Sequence, residues 1–567
     1  MKRLVLALLA LLPPAPALAS PQASAPPDAT VARGAVTSAD PRATEVGREI
    51  LRAGGSAADA AMAMMLALTV VEPQSSGFGG GGFLVHHDGR TGELGTIDGR
   101  ETAPAAATPE RFIGPDGQPM PFGRAMEGGR SVGVPGNIRL MALATKKWGR
   151  LPWPRLFEPA IRLAEGGFTV TRPLANASAG GAPDWADFPA IRALYTANGR
   201  PLAEGATMRN PALAALLRRI AAEGPEGFYA GPNAQALLEA VNGSRNAPGD
   251  MTAADLVNYA ARERAPVCGR YRVWRVCGMG PPSSGATTVL GILGMLERFD
   301  LQKLGPASPQ AWHLIAEAMQ LAYADRETYL ADPDFVDVPV KGLIDRDYLR
   351  RRSRLISPLR ALGAYAAGKP PGAPARTPAL QAEPTGTTHF VAIDRDGDVA
   401  SMTSTVESSF GSQVVANGLV LNNELTDFTF APAKRGAPVA NRVEGGKRPL
   451  SSMSPTIVYD ASGKPVFTVG AAGGKTIIMQ VAKALIAHLD WGMPARQALG
   501  EGLVYFGRDG IILEQGTARE ALKPELERLG HRVVIGRLGL KANAAELTPQ
   551  GWRGAADPRS IGTALTE

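Results

Sequence analysis

Apolar and polar positions follow two different periods along this chain, and the change of period divides it. Residues 44–71 follow a helical period in two runs separated by Gly54-Gly55. Glycine takes the conformation that a helix C-cap requires, so this pair ends the first helix. Ser56 and Asp59 then stand at capping-box spacing, where each side chain satisfies the other's backbone N–H and starts a second helix. The apolar stretch that follows, Ala60–Val71, falls well short of the roughly 20 residues a bilayer span requires. Glu72-Pro73 stops it, so it predicts a buried core helix. Helical patterns recur at 154–165, 211–222 and 308–328. From 357 to 386 the chain is rich in Pro, Ala and Gly, which predicts an exposed, weakly ordered strip. Beyond it the period becomes two: Thr387–Ile393, a turn through Asp396-Gly397, then Val399–Val406. That is a β-hairpin signature.

Composition narrows the class without naming a job. The chain has 567 residues, 45% hydrophobic and 20% charged, which excludes disordered and mini-protein classes. Gly (66) and Pro (47) make up about a fifth of the chain, with no collagen-like period or solenoid repeat. The net charge of +7 is scattered, and its densest patches are RYRVWR (270–275) and RRSR (351–354). A nucleic-acid partner would call for concentrated charge, so none is expected. At the N-terminus, Lys2 and Arg3 precede an apolar run, Leu4–Leu12, and Ala17-Leu18-Ala19 forms an A-x-A cleavage site. This predicts a signal peptide over 1–19 and an exported protein, periplasmic or secreted, with no membrane anchor after cleavage. In such a compartment Cys268 and Cys277 can close a hairpin as a disulfide. No histidine is placed to complete a metal site with them, so no metal and no cofactor are expected.

Two glycine motifs carry opposite lessons. Gly77-x-Gly79-x-x-Gly82 spells a dinucleotide fingerprint, but a helix precedes it and the strand FLVHH (83–87) follows, the reverse of what the fingerprint needs. It predicts a tight turn of closely approaching backbones. Gly470-Ala-Ala-Gly-Gly474-Lys475-Thr476 lies between a strand and a helix, the right context for a phosphate loop, with one residue too few between its glycines. Backbone N–H groups at such a helix start cradle any anionic oxygen, phosphate or tetrahedral oxyanion alike.

Many segments in order resemble one family. They are GREILRAGGSAADAA (47–61), SSGFGGGGF (75–83), GRETAP (99–104), GVPG (133–136) and PPSSG (281–285) in the first part. TTHF (387–390), FGS (410–412), LNNELTDF (421–428), KRPLSSMSPT (447–456), GAAGG (470–474) and ADPR (556–559) follow. Together they resemble the γ-glutamyltranspeptidase (glutathione hydrolase) precursors, which are N-terminal-nucleophile hydrolases. The resemblance implies an α+β fold, a four-layer αββα sandwich formed by two subunits from one precursor. Those would be a large subunit, 20–386, and a small one, 387–567, associated as a heterodimer.

The chemistry fits the residues. Thr387 can attack the carbonyl of Gly386 to give an ester that water hydrolyses, with Gly386 supplying backbone latitude. The freed α-amino group, of reference pKa roughly 7.7–8.0, can then act as general base for its own hydroxyl. By resemblance, Thr405 supports that hydroxyl. A three-residue turn at Arg395–Gly397 would set it opposite Thr387, and a two-residue turn would set Val406 there. The resemblance gives Gly473 and Gly474 the oxyanion hole. It gives Arg100 the α-carboxylate of a γ-glutamyl head, with hydroxyls from Ser451 and Ser452, and it gives Glu424 and Asp427 the α-ammonium.

Glu407 stands where many members have an asparagine at the α-amino group. The segment Thr429–Gly446 is a short lid without tyrosine, and EGLVYFGR (501–508) lacks an expected Pro-Arg-x-His pattern. PPSSGA replaces PPSSGG, and Ser56 replaces an asparagine. The implied activity is transfer of the γ-glutamyl group of glutathione or other γ-glutamyl compounds to water or to amino acid and peptide acceptors. A cephalosporin (glutaryl) acylase shares the scaffold, but its substrate has no ammonium for two acids to hold. A P-loop nucleotide-binding protein is disfavoured by the short loop and the export signal.

Overall fold

In the computed structural model Asp59 N–H donates to Ser56 Oγ (3.1 Å) and Ser56 N–H to Asp59 Oδ2 (3.0 Å), closing the expected capping box. The box starts the second of two helices, Pro41–Arg52 (α1) and Ala57–Val71 (α2), and every residue of α2 is buried. The structure describes residues 33–379, 386–507 and 509–567. The predicted leader, 1–19, and residues 380–385 of the predicted strip lie outside them. Helices at Glu158–Gly166, Pro211–Glu223 and Pro309–Tyr329 answer the remaining helical patterns. Among the described residues no helix is long and apolar enough to cross a membrane.

Two antiparallel sheets form the centre. The first contains Ala35–Ser38 (β1), Gly81–His87 (β2), Leu94–Asp98 (β3) and Arg262–Glu263 (β4). Val267–Tyr271 (β5) and Trp274–Gly278 (β6) belong to the second; Thr388–Ile393 (β7) and Val399–Thr405 (β8) return to the first. Thr456–Tyr459 (β9), Pro465–Ala472 (β10), Lys541–Thr548 (β11) and Gly551–Ala556 (β12) complete the second, and Thr563–Thr566 (β13) completes the first. The strand orders are β13-β1-β7-β8-β2-β3-β4 and β12-β11-β10-β9-β6-β5. Strands β7 and β8 pack on β10 and β11 across the sandwich. The outer faces are covered by α1 and α2 on one side, and by Gly285–Leu296 (α3) and Thr476–Leu489 (α6) on the other. Pro309–Tyr329 (α4) and Arg346–Ser353 (α5) pack on α3. This is the expected αββα sandwich.

Alternation along β7 sorts its side chains between two cores. Phe390 and Ala392 join the core beneath α2, while Val391 and Ile393 join the core between the sheets. Opposite faces for successive residues follow from the strand period of two.

Composition misled at one place. The predicted loose strip is pinned from 357 to 379 onto α4: Tyr329 Oη donates to Gly368 O (2.7 Å), Gly368 N–H to Asp325 Oδ1 (2.7 Å) and Ala379 N–H to Glu327 O (3.1 Å). Pro and Gly deny this segment a helix or strand, but a side chain on a neighbouring helix can still hold its backbone. Cys268 and Cys277 face each other across β5 and β6 and form the expected disulfide.

Candidate active site

The turn between β7 and β8 settles the register. Ile393 pairs with Val399, and Asp394 N–H donates to Asp398 O (3.1 Å), which leaves Arg395–Gly397 as a three-residue loop. Gly397 takes φ +88°, the left-handed position such loops place on glycine. Thr388 pairs with Ser404, so Thr387 stands opposite Thr405. Their hydroxyl oxygens are 3.2 Å apart, and Thr405 Oγ1 also donates to the carbonyl oxygen of Gly386 at 2.8 Å. Thr387 Oγ1 donates to that same oxygen. Glu407 N–H in turn donates to Thr405 Oγ1 (2.8 Å) and fixes its orientation.

The backbone around this peptide is crowded. A Cβ on Gly386 would lie 2.2 Å from the Glu407 carbonyl oxygen, so glycine is needed here for space. Glu407 itself sits at φ +79°, a conformation costly for a residue with a side chain. The glycine turn at 77–82 approaches from the other side: a Cβ on Gly80 would stand 2.1 Å from Thr405 O. Close backbone approach is what that motif provides, as its context predicted.

Thr388 points the opposite way from Thr387, into the α2 layer. It donates to Glu72 Oε2 at 2.6 Å, and Lys541 Nζ binds both Glu72 (2.5 Å) and Thr388 (3.2 Å). Sequence reasoning missed this triad, which ties the start of β7 to the end of α2 and to β11. His389 returns to the inter-sheet face, where it bonds Thr403 (2.9 Å), a packing role for Thr403. Burial pushes the His389 imidazole down to about 3, so it stays neutral and carries no proton for Thr387.

Arg100, Glu424, Asp427 and Glu407 come together as one buried cluster. The Arg100 guanidinium binds Glu424 Oε1 through Nη1 and Asp427 Oδ2 through Nη2, the latter at 2.5 Å. Its Nε and Nη2 also donate to the carbonyls of Pro449 (3.1 Å) and Leu450 (2.9 Å). Carboxylate oxygens of Glu407, Glu424 and Asp427 lie within 4.8 Å of one another. Burial works against the Arg100 charge, but Asp427, Glu101 and Glu407 outweigh it and raise its pKa. Three acids and one guanidinium thus share one buried site. Next to Arg100, Glu101 is fully buried, no other residue among the described ones donates a hydrogen bond to its carboxylate, and burial, opposed by Arg100, pushes its pKa up to about 8.

Ser451 and Ser452 follow directly on Leu450. Ser452 Oγ accepts from Arg326 Nη2 (2.8 Å), and Ser451 Oγ accepts from Met453 N–H (3.2 Å). Arg326, fully buried on α4, also holds Ser284 Oγ (2.8 Å) in the PPSSG turn and pairs with Glu327 (2.9 Å). Glu327 binds Lys475 Nζ at 2.8 Å, and Tyr323 Oη donates to Lys475 O. One helix thus anchors the serine loop, the PPSSG turn and the loop before α6. The only sign of Arg326 and Glu327 in the sequence is a charged end to an apolar helix pattern. In the anchored loop Gly473 and Gly474 take φ +129° and +58°. Neither N–H donates to a protein acceptor among the described residues. The segment 429–446 forms a small hairpin, Ala433–Lys434 with Ala437–Pro438, and Phe430 at its base stacks on Phe112 with ring centroids 4.6 Å apart.

A gamma-glutamyltranspeptidase family profile matches residues 43–566. The chain belongs to the γ-glutamyltranspeptidase family. It is 38% identical over 512 residues to the glutathione hydrolase proenzyme of Bacillus subtilis (strain 168), covering 88% of this chain and 85% of that protein. It is 36% identical over 543 residues to the glutathione hydrolase proenzyme of Escherichia coli (strain K12), covering 93% and 91%. Among solved structures, the cephalosporin acylase of Bacillus halodurans superposes with a TM-score of 0.83 at 25% identity, over 96% of this chain and 98% of that one. Membership in the γ-glutamyltranspeptidase family agrees with the sandwich and leaves the roles of individual side chains to be argued from their geometry.

Proposed function

We propose that this enzyme is a self-cleaving γ-glutamyl hydrolase and transpeptidase whose nucleophile is Thr387. In the precursor, Thr387 Oγ attacks the Gly386 carbonyl carbon. The C–N bond breaks as an ester forms, and the Thr387 nitrogen takes up a proton as a free amine. Water then cleaves the ester, leaving a Gly386 carboxylate on the large subunit (20–386) and an N-terminal threonine on the small one (387–567). The Thr405 hydroxyl, bonded to the Gly386 carbonyl oxygen, supplies a donor where negative charge develops.

In turnover, the Thr387 amine accepts the proton of its own hydroxyl, which attacks the γ-carbonyl of glutathione or a related amide. The N–H groups of Gly473 and Gly474 stabilise the tetrahedral oxyanion, a contribution of roughly 3–4 kcal/mol per donor in other enzymes. The departing amine takes the proton, and water or an acceptor amine resolves the γ-glutamyl ester.

The observation that carries the substrate class is Arg100 held between Glu424 and Asp427. A zwitterionic α-amino acid head can exchange partners with this cluster, its carboxylate on Arg100 and its ammonium on the acids. Ser451 and Ser452 stand beside it as hydroxyl donors, and Glu407 adds a third carboxylate to the ammonium side. A glutaryl head would bring an anion and leave the acids with less compensating charge. The fold similarity to the cephalosporin acylase favours that second reading; the acid cluster opposes it. The signal-peptide pattern in the sequence of residues 1–19 and the Cys268–Cys277 disulfide support an exported enzyme, periplasmic or secreted.

Comparing hydrolysis of γ-glutamyl-p-nitroanilide and glutaryl-p-nitroanilide tests the assignment. The γ-glutamyl substrate should have the larger kcat/KM. A larger value for the glutaryl substrate makes the enzyme an acylase.

A further inference from the structure

The two densest basic segments of the sequence, separated by some eighty residues, meet in the fold. Arg270 on β5 and Arg354 after α5 line one cavity of about 380 Å³, together with Arg298, Arg346 and Arg350. Leu290 and Leu349, from α3 and α5, and Ile344 give it apolar walls. None of its lining residues belongs to the cluster around Arg100 or to the Thr387 hairpin. Helix α3 lies between the two places: its first residue, Gly285, packs on Ser454 beside the serine loop, and Gly294 near its far end lines the cavity.

The charges of these arginines are unevenly compensated. Arg346 pairs with Glu297 at 3.5 Å and Arg350 with Asp347. Among the described residues Arg270, Arg298 and Arg354 have no acidic partner. Arg298 is the most constrained of the three. Its Nε donates to Ser353 Oγ (2.8 Å), and its Nη2 to Ser353 O (3.0 Å) and Ile356 O (2.7 Å). Its guanidinium carbon lies 4.0 Å from the Phe299 ring centroid. One edge of the guanidinium is therefore committed to the end of α5, while Nη1 has no acceptor among the described residues. A capping role for α5 accounts for the committed edge alone. It does not explain why four further arginines, three from α5 and its C-cap and one from β5, line the same concavity. A guanidinium fixed on one edge and open on the other is preorganised for an anionic oxygen, and a concave site with apolar walls focuses the field of the surrounding charges.

We infer that this cavity binds a small polyanion, with phosphate or carboxylate groups held by Arg270, Arg298 and Arg354 and a compact body against Leu290, Leu349 and Ile344. The site is separate from γ-glutamyl transfer and does not depend on that assignment. The volume lies within the range of small-molecule sites.

Titration calorimetry of the full-length enzyme at low salt tests this, with ADP as the phosphate probe and citrate as the carboxylate probe. At least one should bind saturably at one site per chain, and more weakly as salt is raised. The arm that binds identifies the anion class. Arg270→Ser/Arg354→Ser should weaken that binding by about tenfold or more while leaving γ-glutamyl-p-nitroanilide hydrolysis unchanged. Arg298→Lys, which keeps the charge but loses the fork, should weaken it as well. Absence of saturable binding by both probes up to about 1 mM, or binding indifferent to both variants, overturns the inference.

Discussion

Thr405 places its hydroxyl 3.2 Å from that of Thr387 and 2.8 Å from the Gly386 carbonyl oxygen, so one side chain touches both proposed reacting groups of the precursor. Glu407 N–H holds it in that position from the far side. Thr405→Val keeps the shape and removes the donor. Cleavage at Gly386 should slow by about 10²–10³, the usual cost of losing one such donor, whereas Thr405→Ser should retain most of the rate. A time course of precursor disappearance on denaturing gels measures both. A valine variant that cleaves at the wild-type rate removes Thr405 from the chemistry.

Gly386 makes a second, purely steric prediction. Because a Cβ there would lie 2.2 Å from Glu407 O, Gly386→Ala must displace the backbone that carries the reacting carbonyl. The variant should remain uncut and lose about 1–3 kcal/mol of stability, as overpacked sites do. Intact mass and thermal unfolding report the two effects. Normal cleavage of this variant would show that the 386–387 peptide has more room than its neighbours allow here.

Glu101 makes stability depend on pH. Its carboxyl titrates at 4.5 when exposed, and burial raises it to about 8 in the folded chain. Between those values the unfolded chain releases a proton that the folded chain keeps, so stability falls as pH rises. Glu101→Gln lacks this loss. The Tm of the variant relative to the wild type should therefore rise steadily from pH 5 to pH 8. A constant difference across that range means Glu101 ionises normally.

What was legible in the sequence was local or repeated. The Ser56–Asp59 capping box, the buried α2 and the strand–loop–helix context of Gly473 and Gly474 depend on neighbours a few residues apart, and each stands as expected. The pairing of Thr387 with Thr405 was only half legible, because two- and three-residue turns both suit Asp396-Gly397; the pairing of Ile393 with Val399 and the Asp394–Asp398 bond select the three-residue loop. Long-range contacts were not legible. Nothing in the Pro- and Gly-rich stretch after 357 signals Asp325 or Tyr329 holding its backbone, and composition alone predicted a loose strip. Arg100 and its acids were identified by motif, but their mutual pairing was not. It depends on three segments meeting in a space that the sequence does not describe.

Self-cleavage at Gly386–Thr387 is the step on which the proposed catalytic mechanism stands. The most direct measurement is the intact mass, under denaturing conditions, of the purified protein beside its Thr387→Ala variant. The wild type should yield two pieces, residues 20–386 and 387–567, which copurify when native; the variant should remain one chain without γ-glutamyl-p-nitroanilide activity. A wild-type chain that stays whole yet hydrolyses that substrate would contradict the mechanism outright.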